Sequence, residues 1–138
     1  MDNPYVPQQI WNQSFAWFPR VTVDIVVEEG GTVLLVKRDD YLCKCWHLPG
    51  GFVRLNEPVV DAVLRIAKVE ANIDLDEVRF VRVYDDPKRD PRGHVISLCF
   101  KAKRIGGEAN GNTKYFPLKE LPALRFQHDR MISDALRK

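Results

Sequence analysis

The chain is organised around residues 46–75, which read WHLPGGFVRLNEPVVDAVLRIAKVEANIDL. Within it, Pro49, Gly50 and Gly51 predict a turn in which two residues are free to take positive φ and another group can approach the backbone closely. Pro58 suits a first helical position, where no N–H is needed. The segment therefore predicts a loop that leads into a helix, with an apolar stripe of Val60, Val63, Leu64, Ala67 and Ala71.

This stretch resembles the Nudix box of the Nudix hydrolase (MutT-like) family, G-x5-E-x7-R-E-U-x-E-E-x-G-U, at Gly51, Glu57, Arg65 and Glu70. The resemblance implies the α/β Nudix fold, in which a mixed, curved sheet is sandwiched between helices. It also implies catalytic roles for Glu57, Arg65 and Glu70.

The box is incomplete, because Ile66 and Val69 stand where the family has glutamates and Asn72 stands where it has its late glycine. In the family, the glutamates and the carbonyl at the position of Gly50 hold Mg²⁺ against a substrate diphosphate. The resemblance therefore implies metal ligation by Glu70 and Gly50, with Mn²⁺ as the other candidate ion. With one carboxylate left, we expect one metal ion rather than two or three.

Composition predicts one globular domain, since the chain has 138 residues, 45% of them hydrophobic. We expect an N-terminal arm over residues 1–20 and a single domain over residues 21–138. The net charge of +2 comes from basic and acidic residues that are interspersed, so we expect no nucleic-acid partner. The sequence has neither a charged-then-apolar leader nor an apolar run of about 18 residues, so we expect a cytoplasmic protein that does not bind membranes.

The arm carries five aromatic residues without a firm period: Tyr5, Trp11, Phe15, Trp17 and Phe18. Our main expectation is that these aromatics close one end of the core. Packing on a second subunit and stacking on a base are the alternatives. We also expect a homodimer. Three cysteines, Cys43, Cys45 and Cys99, lack the fourth ligand of a structural zinc site and are predicted to be reduced, partly buried thiols.

Residues 21–27 predict a strand, Gly30-Gly31 a hairpin turn, and residues 32–37 the returning strand. Asp24 and Arg38 are charges at these strands and face either solvent or a cleft. The GDP-mannose mannosyl hydrolase branch of the Nudix family uses an Asp and an Arg at such positions to hold the leaving nucleoside diphosphate, and it also lacks the two missing glutamates. The resemblance therefore implies substrate binding by Asp24 and Arg38, although decay of an ordinary box would lose the same glutamates.

Residues 78–84 and 95–102 predict two further strands joined by a polar loop over residues 85–94. In this loop, residues 89–94 resemble a segment of ADP-ribose pyrophosphatases and of Nudix-type regulators of NAD metabolism that borders the substrate cleft. The resemblance implies substrate binding by Arg89, Arg92 and His94, since guanidinium groups donate in a planar fork. A solvated hairpin loop is the alternative.

Residues 106–112 predict a loop, residues 114–118 a short strand, and residues 129–137 a final helix. In the mannosyl hydrolase branch, the loop before this strand carries a Gln ligand and a His base, where this chain has Asn110 and Gly111. His128 is then the candidate catalytic imidazole, and packing at the helix start is its alternative role.

Two functions follow from the resemblance. The first is Mg²⁺-dependent hydrolysis of a nucleoside diphosphate linked to another moiety, either a nucleotide sugar or an ADP-ribose-like compound. The second is binding of such a ligand by a catalytically impaired Nudix domain. Because the chain keeps cations for a leaving group but has lost box carboxylates, we expect attack at the anomeric carbon of a nucleotide sugar, which gives free sugar and a nucleoside diphosphate.

Overall fold

A computed structural model describes residues 6–137. Of the residues discussed above, Tyr5 lies outside this range. The helices and strands follow one another along the chain as α1 (Gln8–Trp17), β1 (Arg20–Glu29), β2 (Thr32–Asp39), β3 (Lys44–His47), β4 (Gly50–Phe52), α2 (Val59–Ala71), β5 (Ile73–Tyr84), β6 (Val95–Gly107), β7 (Thr113–Pro117), a short 3₁₀ turn (Leu118–Glu120) and α3 (His128–Leu136).

The strands form one mixed sheet in the order β3-β2-β1-β6-β5, and β4 and β7 pair with β1 and β2. Strand β1 runs parallel to β6 and antiparallel to β2 and β4. Six consecutive residues of β1, from position 22 to 27, are buried, as expected of a strand that is covered on both faces. The predicted hairpin turn is confirmed, since Gly30 and Gly31 both have positive φ.

Helices cover both faces of the sheet, so the predicted α/β sandwich is confirmed. Helix α2 packs on the face of the sheet that carries Val23, Ile25 and Phe100. Helix α3 packs Met131, Ile132 and Ala135 on the opposite face. Because successive side chains of a strand point to opposite faces, β1 contributes to both layers of the core.

The buried stripe of α2 differs from the predicted one. Val60 and Leu64 are 47% and 40% exposed, whereas Ala62 and Ile66 are buried. Small alanines at positions 62, 67 and 71 let the helix backbone approach the sheet, and this close approach sets which face is covered. The prediction gave too much weight to the larger apolar side chains.

Three further elements differ from the predictions. The segment around Gly50 and Gly51 is not a positive-φ turn but strand β4 paired with β1. Strand β5 begins at Ile73 rather than at residue 78 and carries an irregularity at Glu77, which has a φ of 51°. The aromatic arm contains helix α1, which packs Trp11 and Phe15 against Phe52, so two of the aromatics do close one end of the core.

The cysteine prediction is wrong for one pair. Cys43 and Cys45 are joined by a disulfide, with Cα atoms 5.5 Å apart, a separation that a disulfide spans. The turn before β3 brings residues two positions apart to this distance, which spacing alone does not reveal. Cys99 is a free, buried thiol, as expected. No helix within residues 6–137 is both long enough and apolar enough to span a membrane.

Candidate functional site

A cleft of about 440 Å³ lies where β1, β2, β3 and β4 meet the end of α2, the 85–94 loop and the start of α3. It is lined largely by charged and polar groups. The residues that carry these groups are Thr22, Asp24, Lys37, Arg38, Asp39, Asp40, His47, Glu70, Arg89, Asp90, Arg92, Asn112 and His128.

Asp24 forms the floor of this cleft and belongs to a buried polar network. It is 7% exposed, Ser97 donates a hydrogen bond to one of its oxygens, and His128 Nε2 lies 3.3 Å from the other. Burial raises the pKa of Asp24, but His128, Ser97 and Arg89 outweigh it and hold that pKa below its ordinary value. Asp24 is therefore an anion, and its partners lie within the fold.

His128 does not have the placement of a water-activating base. The N–H of Leu48 donates to its Nδ1 over 3.0 Å, so the proton of the neutral ring sits on Nε2, which faces Asp24. The ring is 4% exposed, and both of its nitrogens are engaged. His128 holds Asp24 and ties α3 to the segment before β4.

Gly50 connects the floor of the cleft to the box helix. A Cβ at this position would collide with Asp24 Oδ1 and would lie 2.8 Å from the carbonyl oxygen of Val23. The predicted close approach is therefore real, but the group that approaches is the Asp24 carboxylate. The N–H of Gly50 donates to Glu70 Oε1 over 3.0 Å. The carbonyl of Gly50 points to the same side of β4, because the N–H and C=O of one strand residue point in the same direction.

Glu57 and Arg65 brace the loop between β4 and α2 and do not line the cleft. Arg65 donates from Nε and Nη2 to the two oxygens of Glu57 over 2.7 and 2.9 Å, and Nη2 also donates to the carbonyl of Phe52. The Arg65 guanidinium holds the pKa of Glu57 below its ordinary value. The pair holds the loop between β4 and α2 in place from outside the cleft.

The substrate-binding cations expected at Arg38, Arg89 and Arg92 do meet in the cleft. Arg38 pairs with Asp40 and Arg92 with Asp90, each over 2.8 Å. Arg89 donates to the carbonyls of Phe126 and Val95. Its Nε is buried and has no hydrogen-bond partner within residues 6–137, which leaves one donor for a further acceptor.

His94, the remaining residue expected to bind substrate, lies outside the cleft. Its Nε2 is 3.1 Å from the carbonyl of Asp85, at the opposite side of the 85–94 loop. His94 joins the two ends of this loop and does not line the cleft.

Arg92 owes its position partly to α1. Its guanidinium lies 5.0 Å from the ring centroid of Phe52 and 5.8 Å from that of Phe15. Gly93 lies so close to Phe15 that a Cβ there would be 3.2 Å from the Phe15 carbonyl oxygen. The N-terminal helix therefore supports one wall of the cleft.

The two missing box glutamates are replaced in different ways. Ile66 is 3% exposed and packs in the core, whereas Val69 is 75% exposed and lines the cleft beside Glu70. Asn72 takes over the role of the late glycine, since it ends α2 in a left-handed conformation with a φ of 55° that asparagine tolerates. The helix therefore ends in the same way with asparagine at position 72 as it would with glycine.

Within residues 6–137, the cleft offers protein donors for one hard cation at most. Glu70 is the one box carboxylate in the cleft, and no group of three or more His, Cys, Asp or Glu side chains within residues 6–137 is placed to hold a metal ion. Magnesium needs six oxygen ligands and commonly takes several from water and substrate phosphates. Glu70 and the Gly50 carbonyl would supply the protein's share.

Sequence reasoning missed two residues that line the cleft and one that lies beneath it. His47 was overlooked because it lies between Trp46 and Leu48, just before the glycines of the box. A single imidazole next to a predicted close backbone approach could have indicated that it lines the cleft. Phe126 reaches the cleft through a left-handed backbone with a φ of 60°, which no local pattern announces. Ser97 reaches Asp24 only through the parallel pairing of β1 and β6.

Comparisons with known proteins agree with this architecture. A family model described as NUDIX domain matches residues 18–135. An ADP-ribose pyrophosphatase of Methanocaldococcus jannaschii is 41% identical over 125 residues, which cover 86% of this chain and 74% of that protein. The low-salt glycan biosynthesis protein Agl8 of Haloferax volcanii is 37% identical over 121 residues, which cover 83% of this chain and 78% of that protein.

Among solved structures, a MutT NUDIX hydrolase from Burkholderia pseudomallei matches with a TM-score of 0.77 at 28% identity, over 85% of this chain and 98% of that chain. The sheet order, the box helix and these similarities lead to one conclusion. The chain belongs to the Nudix family.

Proposed function

We propose that this chain is a hydrolase of nucleoside diphosphates linked to a second moiety, either ADP-ribose-like compounds or nucleotide sugars. One observation carries the proposal: the cations Lys37, Arg38, Arg89 and Arg92 line the same cleft as Glu70 and the glycines of β4. A diphosphate carries charged oxygens that guanidinium groups bind through several donors at once.

The relatives support both substrate classes. The Methanocaldococcus jannaschii relative is named an ADP-ribose pyrophosphatase. The Haloferax volcanii relative is named for glycan biosynthesis, a process that consumes activated sugars. We therefore place ADP-ribose and nucleotide sugars first among the substrates to be tested.

Nudix hydrolases generally use divalent metal ions, and we propose that Mg²⁺ or Mn²⁺ serves here. Glu70 and the Gly50 carbonyl would hold one such ion, which when bound neutralises charge on the phosphate oxygens. Arg38 and Arg92 approach the same cleft with partners of their own, so a diphosphate would share guanidinium groups that Asp40 and Asp90 already orient.

The positions of these charges favour attack at carbon when the substrate is a nucleotide sugar. Attack at phosphorus needs metal-held charge at the electrophile, for which the family uses the glutamates replaced by Ile66 and Val69. Attack at the anomeric carbon needs positive charge at the leaving nucleoside diphosphate, which the cleft arginines supply. The expected products are free sugar and a nucleoside diphosphate.

The proposal extends to the organisation of the protein. Residues 1–20 form an arm on a single Nudix domain over residues 21–138, and two copies form a homodimer in the cytoplasm. Trp17 and Phe18 of the arm are 75% and 68% exposed, which leaves apolar surface for a second subunit. Size-exclusion chromatography with light scattering tests the dimer, which a monomeric mass would contradict.

A second function is favoured by the replaced glutamates. Ile66 and Val69 remove two metal-ligand positions while the cationic cleft stays intact. A chain of this kind would bind ADP-ribose or a nucleotide sugar without hydrolysing it. Binding without turnover is therefore the alternative outcome of the experiment that follows.

The test is a substrate panel of ADP-ribose, GDP-mannose, other nucleotide sugars and nucleoside triphosphates, assayed with Mg²⁺ and with EDTA. Glu70→Gln should abolish metal-dependent turnover, because the neutral amide keeps the volume and removes the charge. Glu108→Gln, a change at an exposed residue outside the cleft, is the matched control and should be fully active. Full activity of Glu70→Gln would refute the metal assignment, and binding without any turnover would establish the second function.

A further inference from the structure

His47 occupies β3 at the inner wall of the cleft and is fixed by one short hydrogen bond. Its Nδ1 lies 2.6 Å from the carbonyl oxygen of Leu48. A carbonyl oxygen can only accept, so Nδ1 carries the proton. In the neutral ring the other nitrogen, Nε2, is then an acceptor with a lone pair.

The surroundings of His47 keep this ring neutral. The residue is 9% exposed, and burial lowers the pKa of its imidazole from 6.5 to about 4. The nearby His128 and Arg38 act in the same direction, against the Leu48 carbonyl and Asp24. At neutral pH, Nε2 therefore keeps its lone pair.

Other acceptors in the cleft are engaged or lie at its rim. Within residues 6–137, Asp24 is held by Ser97 and His128, and Asp40 and Asp90 are held by arginines. Glu70 accepts from the N–H of Gly50. Asp39 also lines the cleft, but it is exposed.

We propose that His47 is the general base that takes a proton from the attacking water. This inference rests on the proposed hydrolase function and names the group that the replaced glutamates and the engaged His128 leave unassigned. The arrangement is that of an oriented base, with Nδ1–H held by a carbonyl and an unprotonated Nε2 on a ring that lines the cleft.

In the step, the oxygen of water forms a bond to the electrophilic atom of the substrate. The bond from that atom to the leaving phosphate oxygen breaks, and its electron pair stays on that oxygen. The proton of the water moves to Nε2 of His47. The imidazolium so formed is stabilised by its bond to the Leu48 carbonyl and by the charge of Asp24.

Two substitutions separate proton transfer from simple hydrogen bonding. His47→Asn places an amide near Nδ1, which can still donate to the Leu48 carbonyl, and removes Nε2. His47→Gln places an amide oxygen near Nε2, which can accept a hydrogen bond but cannot take a proton at neutral pH. Glu108→Gln, a change at an exposed residue outside the cleft, is the matched control.

The measurements are kcat on ADP-ribose and GDP-mannose, ADP affinity by calorimetry, and far-UV circular dichroism. Both His47 variants should lose at least about 100-fold in kcat and bind ADP within about threefold of wild type, since general bases contribute about 10²–10⁴-fold. Glu108→Gln should stay within about threefold of wild type in kcat.

Several results would overturn the assignment. If His47→Gln keeps more than about a tenth of the wild-type kcat, the residue only accepts a hydrogen bond. If both His47 variants lose ADP binding or folded structure together with activity, its role is structural. If wild type and both His47 variants are active, the assignment of His47 as the base is wrong and the proposed hydrolase function stands. If wild type turns over no substrate, both the hydrolase function and the assignment of the base are refuted.

Discussion

The two replaced glutamates allow a prediction with opposite outcomes at neighbouring positions of α2. Ile66 is 3% exposed in the core, and Val69 is 75% exposed at the cleft. Ile66→Glu removes a buried apolar side chain, which costs about 2–5 kcal/mol, and adds the cost of burying a carboxylate or of keeping it protonated. We expect the free energy of unfolding to fall by at least about 3 kcal/mol. Val69→Glu should change it by no more than about 0.5 kcal/mol, because an exposed site loses no packing.

Urea unfolding followed by circular dichroism measures both free energies. The same proteins are then titrated with Mg²⁺ by calorimetry. Val69→Glu places a second carboxylate beside Glu70 and should tighten Mg²⁺ binding by about tenfold or more. The reasoning is refuted if Ile66→Glu is as stable as wild type, or if Val69→Glu loses more than about 2 kcal/mol.

Three further predictions concern residues around the box. Gly50→Ala should abolish activity and lower the melting temperature, because its Cβ would lie 2.8 Å from the Val23 carbonyl; a fully active variant would contradict this. Since the pKa of folded His47 is about 4 and its ordinary value is 6.5, the unfolded state binds a proton first as pH falls. The free energy of unfolding should therefore drop by about 3 kcal/mol more in wild type than in His47→Asn between pH 6.5 and 4, as urea titrations at both values can show. Arg65→Met should lower the free energy of unfolding by about 2 kcal/mol, and Arg137→Met, at an exposed arginine, by less than about 0.5 kcal/mol. Equal losses would argue against the bracing role of Arg65.

Much of the fold could be predicted from local patterns. The β1–β2 hairpin follows from β-branched alternation around Gly30 and Gly31, and α2 and α3 follow from helical spacing after their start signals. The face that α2 buries could not be predicted, because alanines pack closely only when a sheet is there to receive them. The disulfide between Cys43 and Cys45 likewise depends on a turn that the sequence does not specify.

The candidate site was predictable where a motif carries it and not where topology does. The box spacing singled out Gly50, Glu57, Arg65 and Glu70 as candidate site residues. The structure places Gly50 and Glu70 in one cleft with Arg38, Arg89 and Arg92. The network of Asp24, Ser97 and His128 spans residues far apart in sequence and exists only after β6 pairs with β1 and α3 folds onto the sheet. His47 comes to lie beside this network, with its ring 6.3 Å from that of His128, only in the folded chain.

The most direct test of the proposed function is hydrolysis in ¹⁸O-labelled water with Mg²⁺, using ADP-ribose and GDP-mannose as separate substrates and mass spectrometry of every product. We predict turnover, with the label in the free sugar when GDP-mannose is cleaved. Label in a nucleotide or a sugar phosphate from GDP-mannose would contradict attack at carbon. Absence of any product from either substrate, with both substrates bound, would contradict the proposal that this Nudix chain is a hydrolase of nucleoside diphosphates linked to a second moiety.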